Sequence, residues 1–101
     1  MIARIWRARA ALHSAHLYPT HFTDAVLPRL LALPGFRGAY FLRRADDIGV
    51  EFVVQTLWDS MEAVERFAGP NPDVAVVDAE ARAVLVSFDS VVQHYDVVVS
   101  P

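Results

Sequence analysis

Apolar positions along the chain switch between steps of two and steps of three or four, and the switches mark its elements. Ile2 to Trp6 is a short apolar run rich in strand formers, closed by Arg7 and alanines. From about Ser14 to Leu33 the spacing turns helical, with Tyr18, Phe22, Ala25, Val26, Leu30 and Leu33 on one side. Pro19 falls near the first turn, where a missing N–H costs little. Pro28 removes an interior hydrogen bond and predicts a kink or a change of helical phase. Pro34-Gly35 ends the helix.

Phe36 to Arg43 then reads as a strand, Asp46-Asp47-Ile48-Gly49 as a hairpin turn, and Val50 to Trp58 as the partner strand. Asp59 or Ser60 caps the next helix; with Asp59 as cap, Glu62 completes a capping box. Met61, Val64, Phe67 and Ala68 share one side of that helix, which stops near Gly69-Pro70. Asn71 to Val86 is ambiguous, reading as a turn and then a short helix through Ala83. Phe88 to Val99 is dense in valine and reads as one last strand.

The order is β-α-β-β-α-β with one extra helical segment, a single α+β domain over residues 1–101. The pattern predicts a ferredoxin-like fold with a four-stranded antiparallel sheet. Phe52, Val54, Thr56 and Trp58 share one face of the third strand, and Glu51, Val53, Gln55 and Leu57 share the other. Neither face is cleanly polar, yet two helices cover only one. The second face is therefore expected to pack against another copy, making a homodimer.

Composition agrees with a buried extra surface. Hydrophobic residues make up 54% of the chain, slightly above the usual share of roughly 45–50%. The formal net charge is −3, and no basic cluster has the size of a nucleic-acid footprint. Arg4, Arg7 and Arg9 read as one side of a strand end. There is no cysteine, which excludes disulfides, thiolate metal sites and thiol catalysis. No signal-like leader and no membrane-length apolar run is present, so a cytoplasmic protein with no membrane partner is expected.

Ile2-Ala3-Arg4-Ile5-Trp6, the helix end from Leu27-Pro28 to Gly38, Leu57-Trp58-Asp59-Ser60 and His94-Tyr95-Asp96-Val97 together resemble the antibiotic biosynthesis monooxygenase family. The resemblance spans most of the chain and implies a dimeric α+β barrel. It also implies a small aromatic ligand and a cofactor-free oxygenase acting on a hydroquinone or anthrone. A non-catalytic ligand-binding dimer and an isomerase or cyclase of the same fold are the alternatives. The haem-degrading branch fits poorly, because Phe67 stands where that branch has a tryptophan and Asn71 to Val86 holds no histidine.

His94, mid-strand among valines, is the candidate catalytic base, since histidine titrates near neutral pH. Period-two counting puts Asp96 on its face and Tyr95 on the other. The resemblance assigns Trp58 to a substrate pocket, with Trp6 as a second aromatic wall and Gln55 or Tyr40 as hydrogen-bond donors. His21, near Tyr18 and Phe22, could reach a pocket between helix and sheet. His13, His16 and His21 lack the partners of a three-ligand set, so no metal is expected.

Overall fold

The computed structural model describes residues 1–101. Strand β1 (Ile2–Ala10) lies in the interior of an antiparallel sheet, flanked by β3 (Val50–Trp58), which in turn pairs with β2 (Phe36–Ala45). The other edge of β1 takes two short strands, β4 (Ser87–Phe88) and β5 (Gln93–Asp96). The expected ferredoxin-like architecture is present, with five strands instead of four. β1 runs on to Ala10, past the expected end at Trp6, because Ala8 and Ala10 keep register with Phe52 and Val50. Pairing here overrides weak alanine propensity.

The fifth strand arises because the last strand is broken. Ala8 pairs with Phe88 and Ile5 with Gln93, so two residues of β1 face the four residues Asp89 to Val92. The surplus bulges away from β1. Trp6 Nε1–H donates to the Asp89 carbonyl at 2.7 Å, while Ala75 N–H donates to Ser90 O and Val92 N–H to Asp73 O. A surplus of two keeps side-chain parity, so Phe88 and His94 both face the helices. Beyond Asp96 the valines continue outside the ladder, as Val98 and Val99 are almost fully exposed.

The first helical stretch is α1 (Leu17–His21), a π-helical turn (Phe22–Val26) and α2 (Leu27–Leu31) in succession. Pro28 explains the π turn. Lacking an N–H, it cannot bond the Asp24 carbonyl, and the chain widens just before it, with Leu27 N–H reaching Phe22 O. Tyr18, Phe22 and Leu30 are buried against the sheet. Tyr18, Phe22, Phe41 and Phe52 form a cluster with ring centroids 5.1 to 5.7 Å apart.

Gly35 turns the chain into β2 at φ +87°, and a Cβ there would stand 2.6 Å from the Ala63 Cβ. Helix α3 (Met61–Ala68) follows β3. Its cap is Ser60, whose hydroxyl accepts from Ala63 N–H at 3.2 Å. Asp59 is not the cap and no capping box forms; Asp59 pairs with Arg37 instead. Helix α4 (Ala79–Val84) is capped by Asp78, which accepts from Ala81 N–H at 2.8 Å. All helices lie on the side of Trp6, Phe52, Val54 and Trp58. On the open face Tyr40 and Leu42 are exposed, while Ile5, Val53, Gln55 and Leu57 are half-buried. No helix is long and apolar enough to cross a membrane.

Candidate functional site

Two cross-strand rows floor the space between sheet and helices. One runs Phe41–Val54–Trp6, and the next runs Ala39–Thr56–Arg4–His94. Residues opposite each other across an antiparallel pair point to the same side, so Val54, Trp6, Thr56 and Arg4 meet under the helices. Tyr18 from α1, Val26 from the π turn, Phe67 from α3 and Ala81 from α4 close over them. Val76 and Asp78, from the segment between α3 and α4, complete the wall with Val92. The cavity is partly open, with a volume of about 60 Å³. That is well below the roughly 150 Å³ that accommodates benzene in an apolar cavity.

Arg4 is the residue that the sequence reading misplaced. It is only 4% exposed. It does not share a side with Arg7 and Arg9: Arg7 is a step of three away, and an odd step in a strand changes face. Strand parity was the signal that could have found it. Nη1 donates to the Pro72 carbonyl and to His94 Nε2 (3.0 Å), and Nη2 donates to Val74 O at 3.2 Å. The guanidinium also lies over the Phe67 ring, 5.8 Å from its centroid. Burial pulls its pKa down to about 10 even though Asp73 works the other way.

His94 stands beside the cavity, behind Arg4. Its Nδ1 faces Asp73 Oδ1 at 3.2 Å and its Nε2 faces the arginine. The arrangement requires Nδ1–H as donor and Nε2 as acceptor, which is the neutral imidazole. Burial and the Arg4 charge lower its pKa, outweighing Asp73. Asp96 pairs with Ile2 on the His94 face, and Tyr95 points the other way, donating to Gln93 Oε1.

Trp58 is fully buried but outside the cavity. Its ring packs edge-on to Phe36 and stacks on Phe67, and its Nε1–H donates to Thr56 Oγ1 at 2.9 Å. Trp6 does line the cavity, edge-on to Tyr18 at 6.0 Å. Phe22 packs on Phe41 away from it. His21 reaches its border through Asp78: Nε2 lies 2.9 Å from Asp78 Oδ2 and Nδ1 lies 3.1 Å from Glu80 Oε2. Burial tends to raise the Asp78 pKa, but Ala81 N–H, His21 and Arg29 together hold it low. Gln55 and Tyr40 sit opposite one another on the open face. Odd and even positions of β3 point to opposite sides, so neither reaches the cavity of its own chain.

Tyr18 lines the cavity, and the pKa of its hydroxyl is raised by burial and then by Asp78. No group of three or more His, Cys, Asp or Glu side chains is placed to hold a metal.

No protein-family model matches this sequence, and no curated protein matches it. Solved structures do. A Bacillus cereus protein assigned as an antibiotic biosynthesis monooxygenase superposes with a TM-score of 0.65 at 18% identity, over 99% of this chain and 95% of its own. An arginine-to-serine variant of MhuD, holding two manganese protoporphyrin IX molecules per active site, gives 0.63 at 22% identity, over 100% and 98%. At these identities the likeness establishes the fold: the chain has the ferredoxin-like α+β fold of the antibiotic biosynthesis monooxygenases.

Proposed function

We propose that the protein is a cytoplasmic, homodimeric, cofactor-independent monooxygenase acting on an electron-rich aromatic of hydroquinone or anthrone type. The observation that carries this reading is the cavity walled by Trp6, Tyr18 and Phe67, on a fold shared with a protein assigned as an antibiotic biosynthesis monooxygenase. For an anthrone the balanced reaction takes a methylene and O2 to a ketone and water. Loss of a proton gives a carbanion, which passes an electron to oxygen; recombination forms a hydroperoxide that loses water. The protein's part is to exclude solvent, accept the proton and stabilise the developing oxyanion.

His94 is the proposed base, with Nε2 as its acceptor atom and Asp73 fixing the tautomer. Nε2 becomes free when Arg4 turns from it. Trp6 supplies the aromatic wall, while Trp58 supports Phe67 from behind. Oxygen uptake by the metal-free protein, with a panel of anthrones and naphthohydroquinones, tests the reading. Saturable uptake above autoxidation is expected, and binding without uptake would favour a ligand-binding protein or an isomerase.

The porphyrin-holding neighbour supports a second reading, in which the site opens to hold a flat macrocycle. Against it, His94 and His21 already have partners on both ring nitrogens. Haem titration followed by its visible absorption separates the two.

A further inference from the structure

Arg4 is a buried cation without an ion-pair partner. No carboxylate lies within ion-pair distance of it, whereas Arg9, Arg37 and Arg44 hold their ion pairs on the surface. Asp73, whose charge favours the guanidinium, makes no ion pair with it and hydrogen-bonds the other ring nitrogen of His94. The guanidinium instead contacts two carbonyls, an imidazole and an aromatic face, all of them neutral. A charge taken out of water is costly unless it is paired, and neutral dipoles offset that cost only in part.

The donors are not all spent. An arginine has five N–H bonds. Nη1 uses two of its own and Nη2 one, which leaves Nε–H and one Nη2–H. A planar fork with two unspent donors matches two oxygens, or one oxygen with two lone pairs. The surrounding wall is apolar or aromatic apart from Thr56, Tyr18 and Asp78. Asp78 does not serve as the missing anion, because His21 and Ala81 N–H occupy its oxygens.

The geometry points to a ligand that is an aromatic oxyanion, a ring bearing a carboxylate or phenolate, with Arg4 as the residue that selects its charge. This deepens the reading above by naming the charge state of the ligand, and its binding test does not depend on turnover. The volume problem has its answer in the same contacts. Arg4 holds Pro72 and Val74, and so pins the segment that carries Val76 over the cavity. An anion that draws the guanidinium inward weakens that hold and frees room for a ring.

The test is calorimetric titration of the wild-type protein at pH 8 with two matched pairs: benzoate against benzamide, and 4-nitrophenolate against nitrobenzene. Each anion is expected to bind at least tenfold more tightly than its neutral partner, and the two pairs show which oxyanion is preferred. Arg4→Met should bring each pair within about twofold, while Arg4→Lys should keep part of the preference. Circular dichroism of both variants reports folding, and the wild-type comparison stands even if Arg4→Met does not fold. Equal or tighter binding of the neutral partners, or no binding of either anion, overturns the inference. Selective anion binding without oxygen uptake from any anthrone or hydroquinone leaves it standing and removes the oxygenase.

Discussion

Arg4 Nη1–H points at His94 Nε2 from 3.0 Å, so a cation occupies the one lone pair through which the imidazole can accept a proton. The two side chains face each other across β1 and β5 in direct register. The resting site therefore holds its candidate base neutral and covered.

His94 should titrate below the usual histidine range, since burial and then Arg4 oppose its charge while Asp73 favours it. Arg4→Met removes one of the two opposing causes and should raise the midpoint; Asp73→Asn should lower it further. Because the folded value lies under the unfolded one, the unfolded chain binds more protons between them. This group's contribution to stability is present above about pH 6.5 and is lost as pH falls through the folded value. Proton NMR of the ring measures the midpoint. A midpoint that stays put or falls in Arg4→Met would show that Arg4 does not set it.

Trp58 fills the seam between α3 and the sheet and lies outside the cavity. Trp58→Ala should cost about 3–5 kcal/mol of stability, the usual range for a buried tryptophan. Urea denaturation reads that loss directly. Trp58→Phe should fold and bind ring ligands within about threefold of wild type. A selective loss of binding in a fully stable Trp58→Phe protein would place the tryptophan in the ligand's path.

The hairpin, the helix stop at Gly35 and the two-faced third strand were legible because each is set by neighbours in sequence. Pro28 announced a change of phase for the same local reason, and the π turn supplied it. The break in the last strand was not legible. Valines at Val91, Val92, Val97, Val98 and Val99 favour extended backbone but do not say which neighbour they pair with. That choice depends on Asp73 and Ala75, which are remote in sequence. Arg4 was half legible: parity assigns its face, but only the fold brings Pro72, Val74 and His94 around it. Gln55 and Tyr40 could be assigned together by the same parity, to the face away from Trp58.

The cap of α3 gives a paired test. Ser60 accepts from Ala63 N–H, whereas Glu62 falls at a position where no capping box can close. Ser60→Ala should cost about 1 kcal/mol, and Glu62→Ala should leave the denaturation midpoint almost unchanged. The reverse order of effects would return the cap to Asp59.

The open face of the sheet sets the last expectation. Ile5, Val53 and Leu57 are half-buried there, and Tyr40, Leu42 and Tyr95 are exposed beside them. Contiguous apolar surface on this scale marks an interaction site more often than a free surface. A stable pairing needs roughly 800 Å² from each partner, which a sheet face can supply. Light scattering should therefore give twice the chain mass of 11.2 kDa. Val53→Arg, at the middle of that face, places a charge in the contact without touching the helical side. It should return the mass to a single chain while leaving the far-ultraviolet circular dichroism intact. Wild-type protein that stays at single-chain mass up to high micromolar concentration would end the dimer proposal. Gln55 and Tyr40 would then be ordinary solvent-facing strand residues.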